Sequence, residues 1–275
     1  MKSTLSPKRS SRFFISLLFA AFTCFVILSC SNEKKRPENP EVDPLNIGYT
    51  VKGAWPHDIE SFTEGLEIHG GQLYESTGEY GKSWIGVIDI KTGKPDKKVI
   101  LEEKFFGEGI TILNNKVYQL TYKNKIGFIY DLKTFKKIGT FEYSNTEGWG
   151  LTHDSQHIIM SDGTDKLTFL DTVSLKPVKT LEVKDENGSV SEINELEYVD
   201  GFIYTNQWKT NLILKIDAQT GKVVGRIDLT PKAEETKMLN VNADVLNGIA
   251  WHSATKSLLV TGKHWPVIYI LQLKK

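Results

Sequence analysis

Short apolar runs and polar turns alternate along most of the chain, and their order recurs. Five stretches open alike: TEGLEI from Thr63, GEGITI from Gly107, GWGLTH from Gly148, NELEYV from Asn194 and NGIAWH from Asn247. These openings lie 44, 41, 46 and 53 residues apart. Each is followed by a turn such as HGGQ or LNNK and a second apolar run: LYEST, VYQLTY, IIMSDG, IYTNQW or LLVTGK. A third run comes next: IGVIDI, GFIYDL, LTFLDT, LILKID or VIYILQL. Runs of this length, rich in β-branched and aromatic residues and bounded by Gly and Asn, are strand signals. Four of the third runs carry an aspartate, Asp89, Asp131, Asp171 or Asp217, just before a turn such as KTGK. Asx and Gly chemistry makes such turns tight hairpins. A fourth run follows in the first four repeats, and the fifth repeat stops at Leu273 without one.

A period of 40 to 50 residues with four strands per unit is the signature of propeller blades. The pattern therefore predicts an all-β, five-bladed β-propeller. The segment GYTVKGAW from Gly48 supplies the strand that the fifth repeat lacks. A ring closed in this way by an N-terminal strand has no open sheet edge. The pattern contains no long helix. The best helical candidate, KAEETKMLNV from Lys232, sits in the longest gap between repeats.

In a propeller the first strand of each blade lines the central channel, so equivalent positions converge on one axis. The second residue of each opening gives Glu64, Glu108, Trp149, Glu195 and Gly248, a ring near one mouth of the channel. The glycines flanking Glu108 permit close backbone approach there. The second runs end at Thr77-Gly78, Tyr122, Gly163, Trp208 and Lys263, a further layer at the same mouth. Carboxylates, a lysine, the Asn194 amide and several aromatic faces would then meet. Unpaired buried charge costs several kcal/mol, so this mixture is unlike a packing core. It suits a pocket with apolar walls and a few polar groups. The competing reading is a wet channel lined by glutamates, with Trp149 and Trp208 packing between blades and Lys263 in solvent.

Composition narrows the function classes. The 275 residues are 40% hydrophobic with a formal charge of zero. Without the first 29 residues, which carry Lys2, Lys8, Arg9 and Arg12 and no acid, the charge becomes −4. A mildly acidic chain lacking a basic run is unsuited to nucleic acid. The basic KRSSR followed by the apolar FFISLLFAAFTCFVIL reads as an export signal over residues 1–29. The ILSC that ends it looks like a lipobox, with Cys30 as the lipidated first residue of the mature chain. The expected location is the bacterial cell envelope, lipid-anchored and facing the periplasm or the outside. An uncleaved anchor helix is the alternative. Residues 30–45, charged and Pro-rich, read as a flexible tether, and 46–275 as the propeller domain. With Cys24 lost with the leader, no internal disulfide remains. Nothing in the sequence marks an oligomer interface, and a monomer is expected.

The motifs FTEGL, STGEYGKS, FGEGIT, DGT, GWGL, NELEY, NQW, DVLNGIAW and TGKHWP occur in order from about Pro56 to Leu273. In these the chain resembles the plant-type glutaminyl cyclases, also found in bacteria. The resemblance implies a five-bladed propeller and an aminoacyltransferase, an acyltransferase that turns N-terminal glutamine into pyroglutamate and releases ammonia. It implies no zinc and no cofactor. In accord, the six histidines form no ligand set, and His153 and His157 flank a turn. By the same resemblance Glu108 is the catalytic carboxylate, and Glu64, Trp149, Asn194, Trp208 and Lys263 bind substrate. Tyr122 stands where the family pattern has tryptophan. Lys263 or Asn194 would stabilise the oxyanion. Glu64 would bind the substrate ammonium or share a proton with Glu108. Two other functions compete: a non-enzymatic lipid-tethered propeller that binds a peptide or protein, and a metal-dependent hydrolase using Glu64, Glu108, Glu195 and Asn247.

Overall fold

The computed structural model describes residues 43–274. The leader expected over 1–29, the lipid-bearing Cys30 and the tether as far as residue 42 lie outside the described residues. Five four-stranded antiparallel sheets form the blades of a propeller. Blade I spans 63–100, blade II 107–142, blade III 151–182, blade IV 193–228 and blade V 246–273. The inner strands are Thr63–His69, Gly107–Leu113, Leu151–His153, Ile193–Val199 and Leu246–His252. Each lies against the inner strands of its two neighbours, which closes the ring.

The ring has no single core. Apolar side chains on both faces of each sheet pack against the next sheet, and the buried residues divide into one cluster per seam. Ile85, Phe105, Ile110 and Phe128 fill the seam between blades I and II. Leu66, Leu73, Ala250, Leu259 and Ile268 fill the one between V and I. The aspartates of the third strands act as the turn chemistry predicts. Asp89, Asp131, Asp171 and Asp217 accept the backbone N–H of Lys91, Thr134, Ser174 and Thr220 at 2.7–2.9 Å.

Strand register decides which residues are equivalent. Leu66 faces Glu75, Ile110 faces Gln119, Leu151 faces Met160, Leu196 faces Thr205 and Ile249 faces Val260. Two residues before each of these stand Glu64, Glu108, Trp149, Asn194 and Asn247. The opening motifs instead align Glu195 and Gly248 with the first three. The one-residue error arises because apolar Ile193 and Leu246 occupy the place of Thr63 and Gly107, so the polar opening begins later in the text. Blade III differs as well: its inner strand starts only at Leu151. There Trp149 N–H donates to Ser161 O and Gly109 N–H donates to Trp149 O, off the regular ladder. A Cβ on Gly109 would lie 2.5 Å from Trp149 O, so glycine is required for that contact.

The strand Tyr49–Pro56 pairs with Val267–Leu273, from Tyr49 against Leu273 to Pro56 against Val267, and completes blade V as the sequence predicts. The chain arrives along blade IV, where Leu45 O accepts Arg226 N–H and the Arg226 guanidinium meets Asp43 and Asp185. The expected tether is thus bound from Asp43 onward. The helix Thr230–Leu239 starts two residues before the candidate segment, with Pro231 in its first turn. A two-stranded hairpin, Lys184–Asp185 with Gly188–Ser189, was not visible in the pattern.

His57 locks the closure. It follows the closing strand, and its Nδ1 lies 2.8 Å from Trp265 O while its Nε2 lies 3.0 Å from Glu75 Oε1. Two acceptors call for two ring N–H groups, so the imidazolium form fits. Burial alone would lower the His57 pKa, but the Glu75 charge and hydrogen bond outweigh it and raise it. The pair joins the closing strand to blades I and V with both side chains fully buried. Replacing His57 by Leu leaves Glu75 buried without its charge partner. The expected cost is about 3–5 kcal/mol, or a drop in Tm on the order of 10 °C. Thermal unfolding at pH 6 would measure it, and an unchanged Tm would show that the pair does not hold the ring shut.

Candidate active site

At the mouth where the inner strands begin, a cavity of about 180 Å³ is lined by Phe62, Glu64, Phe106, Glu108, Tyr122, Trp149, Asn194, Trp208 and Lys263. The expected catalytic Glu108 and the expected substrate-binding Glu64, Tyr122, Trp149, Asn194, Trp208 and Lys263 all lie on this wall, whereas Glu195, Asn247 and Gly248 do not. The volume is below the roughly 300–1,000 Å³ of pockets that enclose drug-sized ligands, so it suits a single amino-acid side chain. A larger cleft of about 660 Å³ opens between the turns at the far ends of blades I and II, around Tyr74 and Phe135. Among the described residues it offers no partnerless buried polar side chain.

The walls are aromatic. Trp149 and Trp208 meet edge to face at 5.3 Å. Phe106 stands 5.6 Å from Tyr122 and 6.0 Å from Phe62. Two of the second-strand ends are glycines because rings lie on them. A Cβ on Gly78 would come within 2.3 Å of Phe106, and one on Gly163 within 2.6 Å of Trp149. Tyr122 keeps a ring face in the wall, and the Lys123 ammonium sits 4.5 Å over it. Phe62 and Phe106 were missed as site residues. The available signal was their shared place, two positions before the ring glutamates of FTEG and FGEG.

The polar groups are not equivalent. Lys263 Nζ lies 2.7 Å from Glu64 Oε1, and Asn247 Nδ2 donates to Glu64 Oε2 at 3.1 Å. Both oxygens of Glu64 therefore accept, which favours the ionised form. Burial pushes its pKa up to about 7, against the pull of Lys263. Glu108 differs. It is 5% exposed, and among the described residues its carboxyl has no hydrogen-bond partner. Burial first, and the Glu64 charge second, raise its pKa well above the usual 4.5. Two neighbouring carboxyls thus have different environments, one held by an ammonium and an amide and the other without a hydrogen-bond partner among the described residues. Asn194 brings its amide to the wall, with Oδ1 buried and unpartnered.

Glu195 takes no part in the pocket. It stands where blades I to III have glycine, and its carboxyl accepts Leu66 N–H at 3.1 Å and Ile249 N–H at 2.8 Å. Further along the channel Glu67 accepts Ile112 N–H at 3.0 Å, and Glu197 accepts Trp251 N–H at 3.1 Å. These side chains stitch inner strands of different blades together. Of the three carboxylates proposed for a divalent ion, Glu64 is engaged by Lys263 and Asn247 and Glu195 by backbone amides, which leaves Glu108 alone.

A family model described as glutamine cyclotransferase matches residues 21–273. A glutaminyl-peptide cyclotransferase of Arabidopsis thaliana is 37% identical over 227 residues, 82% of this chain and 71% of its own length. The crystal structure of Myxococcus xanthus glutaminyl cyclase superposes with a TM-score of 0.78 at 31% identity, covering 84% of this chain and 99% of that one. The chain belongs to the glutamine cyclotransferase family.

Buried carboxylates below the pocket give the fold a pH dependence. Burial pushes Glu67 up to about 8 from 4.5. The folded state holds a proton there that the unfolded chain releases. The contribution is complete below the unfolded pKa and is lost as pH rises through about 8. Glu67→Gln keeps an acceptor for Ile112 N–H and cannot ionise. It should gain Tm over the parent at pH 9 by at least about 2–4 °C, the shift given by ~1 kcal/mol, and gain little at pH 5. An equal difference at both pH values would exclude this linkage.

Proposed function

We propose that the protein is a glutaminyl-peptide cyclotransferase, an acyltransferase of the aminoacyltransferase class. It closes the N-terminal glutamine of a peptide or protein to pyroglutamate and releases ammonia. The observation that carries this reading is the partnerless Glu108 carboxyl inside an aromatic pocket sized for one side chain. Family membership and the names of the two relatives support it.

The reaction is intramolecular. The neutral α-amine bonds to the side-chain carbonyl carbon, and the carbonyl oxygen takes up the negative charge. The bond from that carbon to the side-chain nitrogen then breaks. One proton leaves the attacking amine and one joins the departing ammonia. Glu108 enters ionised, accepts the first proton and returns it. Its raised pKa makes it a stronger base and a serviceable acid near neutral pH. Lys263 and Asn194 are the donors available to the oxyanion. Glu64 acts at one remove: its Oε1 holds Lys263 in the wall while its Oε2 accepts from Asn247. Trp149, Trp208, Tyr122, Phe62 and Phe106 mould the folded-back side chain. Fixing that conformer supplies several kcal/mol of the barrier reduction. No step calls for a metal or cofactor. A peptide-binding propeller without chemistry would leave Glu108 with no task.

Glu108→Gln should keep the Tm and lower the release of ammonia from a Gln-initiated peptide by at least about 100-fold. In the parent protein the rate should climb with pH as Glu108 ionises, and the variant should lack that limb. EDTA should leave the parent rate unchanged. Near-parental turnover by the variant would refute Glu108 as the proton carrier, and zinc-restored inhibition would refute the metal-free scheme.

We also propose that lipid on Cys30 tethers the propeller in the cell envelope, facing the periplasm or the outside. The support is the basic, apolar and ILSC succession of the leader. Cys30→Ser should end incorporation of a labelled fatty acid and release the protein from the membrane fraction. Membrane retention without label in the parent would favour an uncleaved anchor.

A further inference from the structure

Glu147 lies just outside the pocket and belongs to none of the roles above. Its Oε2 accepts the indole N–H of Trp149 at 2.9 Å. Its Oε1 lies 3.4 Å from Lys123 Nζ, and that ammonium caps the Tyr122 ring at 4.5 Å. One carboxylate thus links a wall ring of blade II to a wall ring of blade III. The backbone sets up the link: Gly148 N–H donates to Tyr122 O at 2.8 Å, which seats residue 147 between the two. Asn145 steadies the loop by donating to Asp162 at 2.9 Å and to Thr168 at 3.1 Å. The Glu147 side chain is 22% exposed, so its bond to the indole is partly shielded from water. Without that bond the half-buried Trp149 ring, resting on Gly163, could turn about its own side-chain torsions. Its edge-to-face contact with Trp208 would go with it.

We propose that Glu147 is a positioning residue for the cyclisation. It fixes the Trp149 indole and, through Lys123, the Tyr122 ring, so that two walls from different blades act as one mould. The proposal rests on reading the cavity as the cyclisation site. Glu147 touches no reacting atom and acts through the rings.

The test uses Glu147→Leu, Glu147→Gln, Trp149→Phe and the double variant Glu147→Leu/Trp149→Phe. Steady-state kinetics on a Gln-initiated peptide should show KM raised roughly ten-fold in Glu147→Leu, about the worth of one charge-assisted hydrogen bond, with a smaller fall in kcat. Glu147→Gln, whose Oε1 can still accept from the indole, should recover most of that loss. On the Trp149→Phe background, which lacks the indole N–H, adding Glu147→Leu should cost only the smaller share carried through Lys123 and Tyr122, well short of its effect in the parent. A readout independent of activity is the Trp149 indole N–H resonance, assigned by its absence in Trp149→Phe. It should shift and exchange faster with solvent in Glu147→Leu, at unchanged Tm. An unaltered resonance, an unaltered KM, equal loss in the Gln and Leu variants, or additive losses in the double variant would each overturn the proposal. If the parent makes no pyroglutamate yet the resonance moves as expected, the brace stands and the cyclisation reading falls.

Discussion

An ammonium and a carboxylate, 2.7 Å apart and almost sealed from water, set the charge of everything around them. Lys263 and Glu64 could not be buried singly without a large penalty, and together they are satisfied only because Asn247 supplies the second donor. That arrangement favours the Glu64 anion against the opposing effect of burial. A second anion nearby then becomes costly, which is one reason the Glu108 proton is held more tightly. The division of labour between two glutamates at equivalent ring positions follows from the partners each was given, since their side chains are identical.

The same economy runs down the channel. Inner strands pressed into a ring leave backbone N–H groups without ladder partners, and side chains from the neighbouring blades fill them. Glu195, Glu67 and Glu197 each do so. Burial raises the pKa of all three above the ordinary carboxyl value, which favours the uncharged form in the channel. The pocket sits on top of this channel with rigid strands on every side. A reaction whose main demand is to hold a side chain folded gains from such a mould.

Much of this was legible in the text. The five-fold repeat, the missing fourth strand and the segment that supplies it are all local patterns, and the strands appear where the alternation puts them. Glu108, Trp149, Trp208, Tyr122 and Lys263 could be brought together on paper because the repeat assigns each a level in the ring, and Asn194 joined them through the family resemblance. The failures are also local in origin. Ile193 and Leu246 disguise the register of blades IV and V, so Glu195 was assigned to a ring where Asn194 and Asn247 belong. Phe62 and Phe106 were hidden because apolar residues beside a strand start read as core. Glu147 lies in a turn whose letters resemble any solvent-facing loop.

By itself the sequence determined the blades, the closure and the acid at the heart of the pocket, because each depends on alternation between neighbouring residues and on glycines within a few positions. Only the tertiary structure decided who pairs with whom. Glu64 and Lys263 stand 199 residues apart, and nothing in either neighbourhood says that one will neutralise the other. That partnership exists only once the ring has closed and blades I and V share a seam. It gives Glu64 its partners and leaves the Glu108 carboxyl without one among the described residues.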